Sequence, residues 1–90
     1  MQSKHVIVTG ANNGIGLGLT RALRDRGFHV AGLDLSTEKL RDVSGVQAFV
    51  CDITKPGQIE RTVNSIADRW GRIDVLVNNA CLAVFAPFED

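Results

Sequence analysis

The sequence predicts an α/β protein built on a parallel sheet, and three observations predict it. Short apolar runs of β type alternate with helical patterns from residue 5 to residue 79, the first run leads into a glycine-rich turn that opens a helix, and polar residues recur where the runs end. Strand, helix, strand, helix, strand, helix, strand is the order of a sheet joined by helical crossovers. Gly10, Asp34, Asp52 and Asn78 each stand just past a strand. Sheets of this kind bind ligands outside their carboxyl ends, near the point where strand order reverses. These four positions therefore converge on one crevice.

The elements follow in order. Residues 5–9 read as a buried strand, because Val6, Ile7 and Val8 form an unbroken apolar run. Residues 10–16 are a glycine-rich turn. A helix runs to Arg26 with Ile15, Leu19, Ala22 and Leu23 at helical spacing, and Gly27 stops it. Residues 28–33 form the second strand, with Asp34 at its carboxyl end. Ser36 is expected to cap a short helix over residues 37–42. Residues 46–50 form the third strand. Thr54 is expected to cap a helix reaching Trp70, with Pro56 tolerated in the first turn, Ile59, Val63, Ile66 and Trp70 on one stripe, and Gly71 as its close. Residues 73–77 make the fourth strand, which ends at Asn78 and Asn79. Residues 81–90 show no clear period.

Composition narrows the function classes. Ten Lys and Arg balance ten Asp and Glu, so no strong field favours nucleic acid or an anionic membrane. The cluster Arg21, Arg24, Asp25 and Arg26 reads as a solvated helix face. No apolar run approaches the ~20 residues that span a bilayer, and the early first strand leaves no room for a signal peptide. Cys51 and Cys81 fit neither a disulfide framework nor a CxxC metal site. A cytoplasmic protein without a metal is expected. His5 and His29, at strand starts, read as structural, and Trp70 reads as core.

The chemistry sits in Thr9-Gly10-Ala11-Asn12-Asn13-Gly14-Ile15-Gly16. Glycine permits positive φ and lets a ligand approach the backbone. The helix that follows aims free N–H groups and a positive dipole end at that ligand, which suits a phosphate. The ATP and GTP phosphate loop requires Gly-Lys followed by Ser or Thr, and no glycine here precedes lysine. The spacing is G-x-x-x-G-x-G rather than the more usual dinucleotide G-x-G-x-x-G. Asp34 lies 18 residues beyond Gly16, near the ~20 expected of an acidic ribose ligand.

Taken with Asn78-Asn79-Ala80 after the fourth strand and Asp52 after the third, the turn resembles the signature of the classical short-chain dehydrogenase/reductase family. The resemblance runs through all 90 residues in the family's order. It implies a Rossmann-type doubly wound parallel sheet, here its first four strands and their helices. Residues 1–90 would then be the amino-terminal part of a single NAD-binding domain. By resemblance Gly10, Gly14 and Gly16 wrap a pyrophosphate, with Asn12 and Ile15 lining the turn. Asp52 and Ile53 meet the adenine, and Asn78 and Ala80 lie beside the adenosine ribose. Cys81 stands where the family motif has glycine and reads as a small buried residue.

A carboxylate at Asp34 can accept from both ribose hydroxyls of NAD and would repel the 2′-phosphate of NADP. Family members that prefer NADP carry a basic residue near the second turn glycine or just after the second strand. Asn13 and Leu35 hold those places, and neither is basic, so NAD is expected. The family transfers hydride between NAD(H) and an alcohol or ketone, using tyrosine, a lysine four residues later, a serine and an asparagine. The chain has no tyrosine, so no catalytic residue is nominated. Ser3, Ser36, Ser44 and Ser65 all precede the place of the catalytic serine. The 90 residues are expected to be an inactive fragment on their own, from a protein that is a homo-oligomer by resemblance. A non-catalytic nucleotide-binding module is the alternative expectation.

Overall fold

β-Branched side chains at Val6, Ile7 and Val8 favour extended backbone. They form the centre of β1 (His5–Thr9) in the computed structural model, which describes residues 4–79. After it come α1 (Gly14–Asp25), β2 (His29–Asp34), a 3-10 turn at Leu40–Asp42, β3 (Val46–Val50), α2 (Pro56–Trp70) and β4 (Val75–Val77). All neighbouring strands pair in parallel, in the order β3-β2-β1-β4. The chain steps outward from β1 to β3, then crosses back to lay β4 on the other side of β1. The reversal therefore falls between β1 and β4, beside the end of β1. This is the first half of a Rossmann-type doubly wound sheet.

Alternation along the strands builds two cores. Val6, Val8 and Val30 face one way and pack with Ala11, Leu17, Leu40 and Val43. Ile7, Ala31 and Leu33 face the other way, onto Cys51 and Ile66. The expected stripe of α2 lands on this second layer, where Ile59, Val63 and Trp70 join Ile66. Each fully buried aliphatic side chain contributes roughly 1.5–3 kcal/mol. Gly32 leaves room on the first layer: a Cβ there would lie 2.9 Å from the Leu40 side chain. Leu40, wholly buried, so pins the 3-10 turn to the sheet.

Four expectations about the elements are corrected. Phe28 donates its amide to Leu23 O and belongs to the exit of α1, so β2 starts at His29. The segment over residues 37–42 is not a helix capped by Ser36; only Leu40–Asp42 is helical, a single 3-10 turn with Lys39 as N-cap. Asn12 Oδ1 accepts from the amides of Lys39 and Leu40, which draws this segment onto the glycine turn instead. Thr54 does not cap α2. The N-cap is Lys55, and the Thr54 hydroxyl donates to Asp52 Oδ1 at 2.6 Å. Finally, Ile73 packs into the second core ahead of the ladder, and β4 begins at Val75.

At the amino ends of the strands, polar groups close on one another. The rings of His5 and His29 stack at 4.4 Å, and Trp70 meets His5 edge-on at 4.9 Å. Asp74 accepts the His5 amide at 2.8 Å and the Arg72 guanidinium. The guanidinium, with the His5 amide behind it, lowers the Asp74 carboxyl to about 2. Both histidines are structural, as their position at the strand starts implied.

Candidate functional site: the glycine turn and the strand ends around it

The turn between β1 and α1 is shaped by its glycines. Gly10 and Gly14 hold φ of 64° and 54°, a region that side chains other than glycine's rarely adopt. Gly16 serves a different need. A Cβ on it would stand 2.0 Å from Gly10 O and 2.8 Å from Asn79 Nδ2. Only a bare backbone lets α1 start so close to the end of β1. Asn79 Nδ2 donates to that same Gly10 carbonyl at 3.2 Å, linking the fourth strand end to the turn.

The mouth of α1 is left open. Asn13, its N-cap, makes no capping hydrogen bond with its side chain, and the first turn holds no acidic residue. Leu17 is the first amide to find a helical acceptor, Asn13 O at 3.2 Å. The amides of Gly14, Ile15 and Gly16 have no acceptor among the described residues. A Cβ at Gly14 would meet nothing within 4 Å, and Ile15 beside it is 80% exposed. Three unpaired donors at a helix start, with open space in front, fit an anion such as a phosphate.

Asp34 is brought to this mouth. Its Oδ2 accepts from the Asn12 amide at 3.0 Å, and its Oδ1 from the Leu35 amide at 2.7 Å. Two bonds fix the carboxylate, yet each oxygen keeps a lone pair for a further donor. The Asp34 carbonyl accepts from Cys51 N at 3.0 Å, so the same residue ties the end of β3 to the end of β2. Asn12 itself is buried, and its side chain turns inward to the Lys39 and Leu40 amides. It shapes the turn from within.

Asp52 follows the buried Cys51 and is half-buried. Its Oδ1 accepts from both the hydroxyl and the amide of Thr54. These bonds, with Lys55 nearby, hold its carboxyl below the ordinary carboxylate value. The carboxylate is engaged with Thr54, just ahead of α2, and is not bonded to the glycine turn. Ile53 packs against the second core. Asn78 is exposed, and its Oδ1 accepts from Thr9 Oγ1 at 3.0 Å, so the end of β4 is clamped to the end of β1. Ala80 and Cys81 lie outside the described residues. An adjoining cleft of about 350 Å³, mostly apolar, runs along α2 past Ile59, Val63 and Leu76, with Thr9 and Asn78 on its border.

The structure thus brings Gly10, Asn12, Gly14, Ile15, Gly16 and Asp34 together, with Asn78 on the next strand end. Asp52 and Ile53 sit one strand further out. Sequence reasoning missed the parts played by Thr9, Lys39 and Asn79. Thr9 carried a signal, a hydroxyl at a buried strand end; Lys39 carried none. Among the described residues there is no cluster of three His, Cys, Asp or Glu that could hold a metal. No helix among them is long and apolar enough to cross a membrane.

Comparison with known proteins agrees with this geometry. A family model described as short chain dehydrogenase matches residues 4–90. The chain is 32% identical to D-threitol dehydrogenase of Mycolicibacterium smegmatis, an alignment that covers 100% of this chain and 38% of that protein. It is 36% identical to sorbitol dehydrogenase of Cereibacter sphaeroides, with 100% of this chain and 37% of that protein covered. The crystal structure of a short-chain dehydrogenase from Streptomyces avermitilis superposes with a TM-score of 0.79 at 31% identity, covering 83% of this chain and 30% of that one. The chain therefore spans little more than a third of the length of these curated relatives. With a family model matched over nearly every residue and a fold that agrees, the chain belongs to the short-chain dehydrogenase/reductase family.

Proposed function

We propose that this chain is the NAD-holding part of an oxidoreductase that transfers hydride between NAD(H) and an alcohol or ketone. One observation carries the reading. The Asp34 carboxylate is fixed to the Asn12 amide, beside a helix mouth whose Gly14, Ile15 and Gly16 amides lack acceptors. A dinucleotide needs both features, donors for its diphosphate and an acceptor for its adenosine sugar. In this reading Gly10, Gly14 and Gly16 receive the pyrophosphate, and Ile15, bare in the chain alone, is covered by it. Asp34 accepts from the ribose hydroxyls. Asp52 and Ile53 border the adenine, and Asn78 and Ala80 flank the adenosine ribose. Asn12 acts by holding the shape of the turn.

The bound cofactor supplies the hydride; these residues bind and orient it. The 90 residues contain no tyrosine, so the chain contributes cofactor holding and not proton transfer. It constitutes the amino-terminal part of one Rossmann domain and has no dehydrogenase activity alone. The two curated relatives are dehydrogenases of D-threitol and of sorbitol, which favours a polyol or related hydroxy compound as the substrate of the whole protein. The whole protein works in the cytoplasm, as a homo-oligomer.

Titration of the purified protein with NADH, followed by cofactor fluorescence, tests the reading. Saturable binding is expected. Asp34→Ala removes charge-assisted hydrogen bonds to the ribose and should weaken binding at least about tenfold. Wild-type protein that fails to bind NADH, or an Asp34→Ala variant with unchanged affinity, would overturn it.

A further inference from the structure

Sequence reading found no basic residue at the two places where one would favour a 2′-phosphate, Asn13 and Leu35. The fold supplies one from elsewhere. Asn12 Oδ1 accepts from the amides of Lys39 at 2.9 Å and Leu40 at 3.0 Å, and the buried Leu40 side chain anchors the segment against Gly32. Held in this way, Lys39 extends over the glycine turn and donates from Nζ to Asn13 Oδ1 at 3.1 Å. No carboxylate among the described residues lies within ion-pair distance of Nζ. Its charge is not neutralised by Asp34, although Asp34 is fastened to the amide of Asn12, one residue before Asn13. An ammonium and a carboxylate thus approach neighbouring residues of one turn without pairing.

We propose that Lys39 is a specificity-determining residue that admits the 2′-phosphate of an adenine dinucleotide beside Asp34. This rests on the reading of the turn as a dinucleotide site. Asp34 alone would exclude NADP by like-charge repulsion. In this reading a 2′-phosphate on a ribose held by Asp34 comes within reach of the Lys39 side chain, and the ammonium offsets the repulsion as a mobile point charge. Asn13, exposed and with no cap to make, is a temporary partner that the phosphate can displace. NAD remains the better ligand, but NADP is not shut out.

The test is the ratio of NADPH to NADH dissociation constants, measured on the purified protein by cofactor fluorescence. A ratio also cancels any loss of folded protein in a variant. In the wild type it should stay within about tenfold, since the ammonium returns most of what the carboxylate repels. Lys39→Met should widen it by about tenfold or more, and Lys39→Arg should keep it near the wild-type value. Raising the salt concentration should narrow the ratio of Lys39→Met, by screening the Asp34 repulsion that Lys39 no longer offsets, and move the wild-type ratio less. A ratio unmoved by Lys39→Met, or NADH binding with no NADPH binding in the wild type, overturns the role of Lys39 and leaves the NAD site standing. Failure of both cofactors to bind overturns both.

Discussion

The two ends of this sheet are made by the same strands and treat their polar groups in opposite ways. At the amino end, Asp74 takes the His5 amide and the Arg72 guanidinium, and His5 stacks on His29 and meets Trp70 edge-on. One buried atom there, His5 Nδ1, lacks a hydrogen-bond partner, and it lies 3.7 Å from Asp74 Oδ2. At the carboxyl end Asn12 bonds to the amides of Lys39 and Leu40, Asp34 to that of Asn12 and Asn79 to the Gly10 carbonyl, beside the side-chain pairs Thr9–Asn78 and Lys39–Asn13. These bonds fix the shape of an opening and leave the amides of Gly14, Ile15 and Gly16 unmet. A closed end contributes stability alone. An end that keeps donors in reserve can take a ligand.

The contrast is most easily broken at Gly16. Substitution by alanine drives a Cβ into the Gly10 carbonyl, 2.0 Å away, so either α1 or the end of β1 must move. The expected loss is about 3 kcal/mol, the upper range for forcing an atom into packed surroundings. Denaturant unfolding checks it. Gly18, two residues further along the same helix, would meet nothing within 4 Å, and Gly18→Ala should stabilise by roughly 0.5–1 kcal/mol through helix propensity. Equal effects at both positions would mean that the close approach is not what Gly16 provides.

Next in size is Asn12→Ala. The substitution strips the acceptor from two amides, of which that of Leu40 is buried. An unsatisfied buried amide costs about 1–3 kcal/mol, so a loss of about 2 kcal/mol is expected in thermal or denaturant unfolding. The change should also raise amide exchange selectively around residues 37–43, while the ring cluster at His5 and Trp70 keeps its protection. Loss of protection at both ends together would show that the ends are not independent.

How far the sequence carried these features depends on how local their causes are. β1 and β3 have the bounds their apolar runs indicate, and Gly71 closes α2 with φ of 80° as a C-terminal glycine does. The place of Asp34 was legible too, because a strand end 18 residues past the turn lies beside it once the strands pair in parallel. Thr54 misled because its hydroxyl had two uses. As a cap it would accept from an amide of α2, but Asp52, two residues earlier, offered a charged oxygen to which it donates instead. The contact of Lys39 with Asn13 spans 26 residues and depends on a buried asparagine that grips backbone. No periodicity or spacing encodes such a bond, and propensity alone predicted an ordinary helix where Asn12 imposes a turn.

The smallest effect concerns acid, and it separates the two ends by titration. Asp74 is held at about 2 in the folded chain, against about 3.9 when unfolded. Between those values the unfolded chain binds the extra proton, so stability rises with pH across that window. The contribution is fully present above about pH 4 and is lost as the pH falls through about 2. Asp74→Asn should therefore flatten the acid limb of a plot of unfolding midpoint against pH and leave its shape above pH ~5 unchanged. Asp52, lowered mainly by the Thr54 hydroxyl, adds a slope of the same sign from the carboxyl end. If Asp74→Asn left the acid limb as steep as before, the amino-end cluster would contribute no pH-dependent stability. The slope would then belong to the carboxyl end, through Asp52.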